Sequence, residues 1–218
     1  MNDKRPTTGS RLNRDDVLRA ALALLNEVGI DALSTRRLAE KLGVQSPTLY
    51  WHFKNKAALL DAMSESIVLN HHALAEPAPG VAWQDWLLAN GRSFRQALLA
   101  YRDGARLHAG TRPGQVQFAS IEARLRRLNE AGFEPGQATR LMMSVGRFVI
   151  GWVLEEQAGQ QPDAPPSSAA GGPDAALYPL LAAGWAATVD SDPDDAFDRA
   201  LRLLLDGAAA QLAQQDQR

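Results

Sequence analysis

The sequence contains no cysteine among its 218 residues. Disulfide bonds and metal or redox sites built from thiolates are therefore excluded. It has no apolar run that approaches the roughly 18 residues of a membrane-spanning helix. Its first residues, MNDKRPTTGSR, include no hydrophobic signal segment. These absences predict a soluble, cytoplasmic protein that neither spans a membrane nor is exported.

The sequence also lacks the alternating apolar pattern of β-strands and any internal repeat. Hydrophobic residues make up 45% of the chain, which is enough to build a packed core. They recur at helical spacing in most segments, and Gly and Pro residues separate one segment from the next. We therefore predict an all-α fold, as one large domain or two smaller ones that share a core.

The predicted helices follow one another with short connections. They are expected over residues 13–28, 35–42, from 46 onward, 56–74, 83–101, 115–131, 135–157, 175–189 and 196–212, with a short segment over 103–110. Residues 1–10 are polar and contain Pro and Gly, so we expect a flexible tail there. The low-complexity stretch at about 158–174 predicts a mobile loop.

The segment from Ser34 to Phe53, STRRLAEKLGVQSPTLYWHF, has the pattern of a helix-turn-helix. Ser34 can cap the first helix, and Gly43 suits the left-handed position at which that helix ends. Ser46 can cap the second helix, with Pro47 at its first position. Two short helices joined by a turn that contains Gly form this motif, and a preceding helix would complete a three-helix head.

The second of these helices would offer polar and aromatic side chains to solvent. Its outward residues are Ser46, Thr48, Tyr50, Trp51 and His52, and its inward pair is Leu49 and Phe53. Such a helix can enter the major groove of DNA. A helical hairpin inside a larger bundle is the alternative. Basic residues around the unit favour DNA binding, namely Arg36, Arg37, Lys41, Lys54 and Lys56.

The net charge of −2 conceals an uneven distribution of charge along the chain. Residues 1–60 contain ten Lys and Arg against six Asp and Glu, a net charge of +4. The remaining residues contain 13 against 19, a net charge of −6. A basic N-terminal head on an acidic body is what DNA binding by the head alone requires.

Two long helices, over 135–157 and 196–212, carry broad apolar faces. Small Ala and Gly residues in the last helix permit close approach of another helix. These faces can pair with a second copy in a four-helix interface, or close the core of a single chain. One recognition helix covers only a few base pairs, so helix-turn-helix proteins commonly bind as dimers. We therefore expect a homodimer.

Four runs of the sequence resemble the tetracycline-repressor (TetR) family of bacterial transcription regulators, and within it the members that sense tetracycline. The runs are RLNRDDVLRAALALLNEVGIDALSTRRLAEKLGV, PTLYWHFKNKAALLDAM, SFRQALLAYRDGARLHAGTRP and VGRFVIGWVLEEQ. They cover most of residues 11–62 and 83–113 and a patch at 145–157. Beyond about residue 158 the likeness rests on helix order and on the motif Pro179–Leu181.

The resemblance implies a ligand-responsive transcriptional repressor and not an enzyme. A homodimer would occupy a palindromic operator in double-stranded DNA and leave it when a small-molecule inducer binds. The implied inducer is a tetracycline–Mg²⁺ chelate, and a different aromatic or anionic ligand is the alternative. A helix-turn-helix DNA-binding domain is expected over residues 11–56 and a ligand-binding and dimerisation domain over 57–218.

The resemblance also implies which side chains contact operator DNA. They are Thr35, Arg36, Ser46, Pro47, Thr48, Tyr50, Trp51, His52 and Lys56. The chemistry of the side chains agrees, because Arg36 can bind a guanine edge and Thr48 can contact a thymine methyl group. Tyr50, His52 and Lys56 can bind phosphates.

An inducer site in the body is implied in the same way. Its ligand-binding residues would be His72, Asn90, Phe94, Thr111, Arg112, Pro113 and Arg124. His108 would bind Mg²⁺ directly, while Thr111 and the partner subunit's Glu155 would hold waters in the metal's shell. Mg²⁺ keeps several waters and takes few protein ligands, so one imidazole suffices when the inducer supplies oxygens.

Several positions depart from the pattern of the tetracycline-sensing members, including Gln45, which replaces a carboxylate, and Thr139 and Met142 in the ligand tunnel. Ser46 stands where they have a longer amide, so the operator sequence is not implied. Arg124 stands where they have a glutamine that bonds the drug. Its guanidinium is longer and cationic. It can pair with anionic ketone–enolate oxygens of a tetracycline, or it can repel Mg²⁺ and indicate a more acidic ligand.

Two other classes of protein remain as alternatives. A metal-dependent enzyme could use His71, His72, His108 and Glu155, but adjacent residues on a helix point about 100° apart. No nucleophile and base at usable spacing is present either. A DNA-binding or partner-binding protein without a small ligand would have a fully packed core between residues 72 and 155.

Overall fold

A computed structural model describes residues 12–72, 80–159, 172–189 and 191–215. The predicted tail over 1–10 and residues 160–171 of the predicted loop lie outside these ranges. Every regular element within them is a helix, which confirms the all-α prediction. None of these helices combines the length and the hydrophobicity that crossing a membrane requires.

The described residues form ten helices. In chain order they are α1 (Arg14–Ala32), α2 (Thr35–Leu42), α3 (Ser46–Leu49), α4 (Lys56–His71), α5 (Trp83–Leu99), α6 (Gly104–His108), α7 (Gln115–Glu130), α8 (Pro135–Gly159), α9 (Pro179–Val189) and α10 (Pro193–Gln215). We call α1–α3 the head and α5–α10 the body. Helix α4 connects the two.

Local side-chain chemistry sets the ends of the helices around the predicted motif. Ser34 Oγ accepts a hydrogen bond from the third amide of α2 at 3.2 Å. Asn55 Oδ1 caps α4 in the same way at 2.8 Å. Gly43 ends α2 in the left-handed conformation, with φ 65°. Gly29, with φ 74°, kinks α1 at the position where the sequence predicted that it would stop.

The predicted cap at Ser46 is wrong. Helix α3 begins at Ser46, so Gln45 is the N-cap, and its side chain makes no capping hydrogen bond. The backbone of Gln45 is extended, and its carbonyl accepts a hydrogen bond from the Thr48 amide at 2.9 Å, which starts the helix one residue early. Pro47 therefore occupies the second helical position. The aromatic residues after α3 lie in turns that continue its path.

The bounds of two other helices, α9 and α4, differ from the predicted ones. Helix α9 begins at Pro179 and not at residue 175, because the Asp174 side chain accepts a hydrogen bond from the Ala176 amide at 2.8 Å and forms a turn first. Helix α4 ends at His71, with His72 as its non-helical C-cap, and residues 73–74, to which it was predicted to continue, lie outside the described ranges.

Two hydrophobic cores organise the chain. The head core joins α1, α2, α3 and α4, and its most buried side chains include Val17, Leu25, Leu38, Met63 and Ile67. The body core joins α5, α8 and α10 through Leu87, Leu98, Val149, Phe197, Leu201 and Leu205. Helix α4 packs against α1, α5 and α6, so it connects head and body as predicted.

Helix α6 is seated closely against the end of α5. A Cβ atom added at Gly104 would lie 2.1 Å from the Leu98 carbonyl oxygen, so only glycine fits at this approach. The preceding residue, Asp103, adopts a left-handed backbone with φ 57° and is buried. This tight connection places His108, at the end of α6, against α4 and α5.

Candidate functional site

The residues predicted to contact DNA all reach the surface of the head and the start of α4. Arg36, Pro47, Tyr50, Trp51 and Lys56 are exposed, and Thr35, Ser46, Thr48 and His52 are half-buried. Leu49 and Phe53 are buried in the head core, as predicted, and anchor α3 and the turns that follow it. Trp51 is 87% exposed, so a large aromatic surface stands next to the recognition helix.

Ion pairs modify the basic surface around the motif. Lys41 Nζ lies 2.6 Å from Glu27 Oε1, so part of its charge is neutralised within the head. Arg36 Nε donates to Glu40 Oε1 at 3.0 Å, but both side chains are exposed. Exposed pairs of this kind contribute little stability, so Arg36 can exchange Glu40 for a DNA acceptor.

A row of three rings forms the centre of the candidate ligand site. Phe94 from α5 lies between two histidines, with ring centroids 5.4 Å from His72 and 5.1 Å from His108. His72 follows α4 directly, and His108 is the last residue of α6. The structure therefore brings together three predicted site residues from three different elements.

His108 is held by a hydroxyl that the sequence analysis did not single out. Ser64 Oγ lies 2.7 Å from His108 Nδ1 and 3.5 Å from Thr111 Oγ1. Thr111 Oγ1 in turn donates to the His108 carbonyl oxygen at 2.8 Å. Ser64 is buried on the apolar face of α4. The sequence could have indicated this role, because Ser64 is a serine on an otherwise apolar helix face and a buried hydroxyl needs a hydrogen-bond partner.

Two of the predicted ligand-binding residues, Asn90 and Arg124, have buried hydrogen-bond donors. Asn90 is 5% exposed and stands four residues before Phe94, on the same face of α5. Its Nδ2 atom and the Nε atom of Arg124 are buried without a hydrogen-bond partner among the described residues. Arg124 Nη2 donates to Ser120 Oγ at 3.1 Å.

Burial favours the neutral form of both histidines. Burial, followed by the positive charge of Arg124 and the nearness of a second titratable ring, His108, lowers the pKa of His72 to about 4. The His72 Nδ1 atom also lies 3.1 Å from Ser93 Oγ. Burial lowers the pKa of His108 as well. Neutral imidazole is the form that ligates metal ions.

Three of the predicted residues are exposed to solvent. Arg112 and Pro113 follow Thr111 in the chain but are exposed. Glu155 is exposed on α8, and its predicted role was assigned to the copy in the partner subunit. These assignments stay predictions.

His71 and His72 diverge, as the helical geometry predicted. His71 Nε2 lies 3.1 Å from the Tyr101 hydroxyl, whereas His72 is turned toward Ser93 and Phe94. Within the described ranges, no group of three or more His, Asp or Glu side chains is placed to hold a metal ion.

Helix α6 also contacts the head directly, which the sequence analysis did not predict. Arg106 forms a two-pronged ion pair with Asp31 at 2.8 and 2.9 Å. Asp103 Oδ2 accepts a hydrogen bond from the Ile30 amide at 2.9 Å. The candidate ligand site is therefore connected to the head through α1 as well as through α4.

Comparison with known proteins matches both parts of the chain to one family. Residues 17–63 match "Bacterial regulatory proteins, tetR family", and residues 76–212 match "Tetracyclin repressor-like, C-terminal domain". The chain belongs to the TetR family. It is accordingly a ligand-responsive, DNA-binding transcriptional repressor, which confirms the predicted family and function class.

Similar TetR-family proteins span nearly the whole chain. The tetracycline repressor protein class A from transposon 1721 of Escherichia coli is 51% identical over 202 residues, 92% of each chain. The class D repressor of Escherichia coli is 45% identical and covers 93% of this chain and 92% of its own.

Solved structures give the same assignment. The structure of TetR (class A) in complex with 5a,6-anhydrotetracycline and magnesium is 45% identical, with a TM-score of 0.70, and the match covers 91% of this chain and 99% of that one. TetR from Acinetobacter baumannii AYE is 42% identical, with a TM-score of 0.72, over 93% and 99% of the two chains.

Proposed function

We propose that the protein is a tetracycline-responsive repressor. A homodimer binds a palindromic operator, and a tetracycline–Mg²⁺ chelate bound in the body releases it. The observation that carries this proposal is the row of His72, Phe94 and His108, with His108 fixed by Ser64. The names of the similar repressors and the anhydrotetracycline and magnesium in one related structure support it.

The hydrogen bonds around His108 suit a metal ligand. If Nδ1–H donates to Ser64, the Ser64 hydroxyl can donate to Thr111, whose own hydroxyl donates to the His108 carbonyl. Each of the two hydroxyl groups then donates one hydrogen bond. The lone pair of His108 Nε2 remains available to bind Mg²⁺. His108 Nε2 would hold Mg²⁺, and the ion would supply positive charge for the oxygens of the inducer. Thr111 and the partner's Glu155 would hold its waters.

The inducer's polar edge is assigned to the other end of the row. His72, Asn90 and Arg124 would provide hydrogen-bonding groups there, and Phe94 would provide an aromatic ring between the two histidines. Arg112 and Pro113 are assigned to the exposed rim of the site. The chelating oxygens and the polar edge of one ligand would thus meet different parts of the same site.

The head and the start of α4 supply the DNA contacts, and we place the DNA-binding domain at residues 11–56 and the ligand-binding and dimerisation domain at 57–218. Arg36 and Thr48 are assigned to base edges, with phosphate contacts from Tyr50, His52 and Lys56. In a dimer the two recognition helices would lie about 34–36 Å apart, one turn of DNA.

The surfaces of α8, α9 and α10 support dimerisation. A groove of about 460 Å³ runs between α8 and α10, bordered by Leu141, Leu204 and Leu212. Leu203 on α10 is 76% exposed. Helix α9 has no buried residue, although it is strongly apolar. Apolar faces of this extent need a partner, and we assign them to a second copy of the chain.

Release would follow from movement of α6. Its last residue would hold Mg²⁺, and the helix is bonded to α4 through Ser64 and to α1 through Asp31. A shift of α6 would therefore move both connections to the head and change the spacing of the recognition helices. Coupling requires that inducer and DNA prefer different arrangements, and it must be reciprocal.

An operator-release experiment tests the proposal. Duplexes bound by the purified protein are selected from a random pool, and the binding of one selected duplex is followed by fluorescence anisotropy. Tetracycline with Mg²⁺ should release the duplex, while either component alone should release much less. A duplex that stays bound at saturating tetracycline and Mg²⁺ would contradict the proposal. Such a result would favour a different inducer. The cationic side chain of Arg124 is the feature that supports this alternative.

A further inference from the structure

Gln157, near the end of α8, bonds to the connection between α5 and α6. Its Oε1 atom accepts a hydrogen bond from the Ala105 amide in the first turn of α6 at 3.2 Å. Its Nε2 atom donates to the carbonyl oxygens of Tyr101 at 2.9 Å and of Leu98 at 3.3 Å. The Leu98 carbonyl is also the group against which Gly104 is packed. One half-buried side chain therefore holds the start of α6 with both its donor and its acceptor.

The residue that ordinarily caps such a helix bonds elsewhere. Asp103 precedes α6, but its side chain makes no capping hydrogen bond to this helix. It accepts a hydrogen bond from the Ile30 amide in α1 at 2.9 Å. Gln157 thus fills a role that a neighbouring residue usually fills. The start of α6 is therefore bonded to the body through Gln157 and to the head through Asp103.

The end of α8 that carries Gln157 is itself fixed in the body. The preceding residue, Glu156, accepts hydrogen bonds from Arg95 Nε at 3.0 Å and Arg95 Nη2 at 2.6 Å. Arg95 is buried and also pairs with Asp194 at the start of α10. The Trp152 indole donates to the same Glu156 carboxylate at 3.2 Å. Because breaking a buried ion pair is strongly destabilising, this end of α8 is held in place against α5 and α10.

Helix α6 thus has three attachments along its five residues. Gln157 holds its start. Arg106 in its middle pairs with Asp31 of the head, and His108 at its end is the assigned metal ligand. A displacement of the end moves the middle of a short helix in a defined direction only when the start is held. With a free start, α6 would turn about Arg106 and leave the head where it is.

We propose that Gln157 is a positioning residue for release: it holds the start of α6 on the body, so that inducer binding at His108 moves Arg106 and the head. The inference rests on the proposed function and adds the fixed point that release requires. Gln157 is assigned no contact with inducer or DNA. Its loss should therefore reduce the coupling between the two ligands without weakening the binding of inducer.

Two variants separate the hydrogen bonds of Gln157 from its packing. Gln157→Met keeps the length of the side chain and loses all three hydrogen bonds. Gln157→Glu keeps an acceptor for the Ala105 amide and loses both donated bonds. Asn129→Ala is the matched control. The Asn129 amide also donates to a backbone carbonyl oxygen, that of Phe133 at 3.0 Å, but it lies at the end of α7.

The coupling factor is the ratio of operator Kd values with and without saturating tetracycline and Mg²⁺, measured by anisotropy on the full-length protein. It should fall by about fivefold or more in Gln157→Met, less in Gln157→Glu, and not at all in Asn129→Ala. Tetracycline fluorescence without DNA should show that Gln157→Met binds the inducer with Mg²⁺ at least as tightly as the wild type does. An unchanged coupling factor in both Gln157 variants would overturn the inference, whatever their thermal stability.

Amide exchange tests the same connection without any inducer. Loss of Gln157 should loosen the start of α6 and with it Asp103, the partner of the Ile30 amide. The Ile30 amide should therefore exchange with solvent several-fold faster in Gln157→Met than in the wild type, and at the wild-type rate in Asn129→Ala. NMR of the ¹⁵N-labelled full-length protein after transfer to D₂O measures these rates. An Ile30 rate that Gln157→Met leaves unchanged would contradict the proposed role.

The two measurements separate this inference from the proposed function. If tetracycline with Mg²⁺ releases the wild type and both Gln157 variants equally well, the repressor proposal stands and the role of Gln157 is wrong. If tetracycline with Mg²⁺ does not bind the wild type but Ile30 exchange is faster in Gln157→Met, Gln157 keeps its role and the inducer is a different ligand.

Discussion

Ser64 Oγ and His108 Nδ1 lie 2.7 Å apart, and this contact joins the middle of α4 to the end of α6. It links the assigned metal ligand to the helix that carries the head. The same contact fixes the orientation of the imidazole ring, so its role can be tested separately from that of the ring itself.

Ser64→Ala should weaken Mg²⁺-dependent tetracycline binding by about tenfold or more, because a hydrogen-bond partner of a metal-ligating histidine typically contributes 10–100-fold. Isothermal titration at saturating Mg²⁺ measures this change. Ser66→Ala, on the same helix but bonded to Asn70, is the matched control and should bind as the wild type does. Unchanged affinity in Ser64→Ala would show that His108 does not need this contact.

The buried His72 should make the protein less stable in mild acid. Native His72 stays neutral down to a pKa of about 4, while the unfolded chain binds a proton near the ordinary value of 6.5. The free energy of unfolding is therefore unaffected by His72 above about pH 6.5. It falls as the pH drops toward 4, by at most about 3 kcal/mol.

Chemical denaturation at fixed protein concentration, repeated between pH 7.5 and pH 4.5, measures this slope. His72→Gln should flatten it, whereas replacing the exposed His71 by Gln should not. A slope that is the same in all three proteins would mean that His72 is protonated in the native state.

Asp31→Asn should reduce the coupling between inducer and operator. The change removes the ion pair between Arg106 on α6 and the end of α1. The pair is exposed, so operator affinity without inducer should change little, and the coupling factor should fall only a few-fold. Anisotropy with and without tetracycline and Mg²⁺ gives this factor. Asp61→Asn, on the exposed face of α4, should leave it unchanged.

Lys56→Gln should lower the dependence of operator binding on salt. Loss of one phosphate contact reduces the slope of log K against log salt concentration by about one unit. Lys41→Gln is a matched control, because the Lys41 ammonium is paired with Glu27 and should contribute less. Equal slopes for Lys56→Gln and the wild type would place Lys56 outside the DNA interface.

The sequence predicts well those features that depend on neighbouring residues. Ser34 and Asn55 cap the starts of α2 and α4, and Gly43 caps the end of α2, as expected. Each cap depends only on residues within three or four positions along the chain. The wrong cap at Ser46 has the same local origin, since the extended Gln45 starts α3 one residue earlier.

Long-range contacts could not be derived in this way. Asp31 and Arg106 are 75 positions apart, and neither belongs to a motif. Ser64 lies on the apolar face of α4. The periodicity of the sequence predicts that this face is buried, but it does not predict that Ser64 contacts His108. The resemblance to the TetR family identified His72, Phe94 and His108, and the structure adds that their rings form one row.

The most direct test of the account is thermal unfolding of the purified protein with tetracycline, with and without Mg²⁺. A ligand that binds only the native state stabilises it by RT ln(1 + [L]/Kd), about 2.7 kcal/mol at a hundredfold excess over Kd. We predict a clear rise in Tm that needs both components and is lost in His108→Ala. No rise with tetracycline and Mg²⁺ together, in protein that still binds operator DNA, would contradict the account.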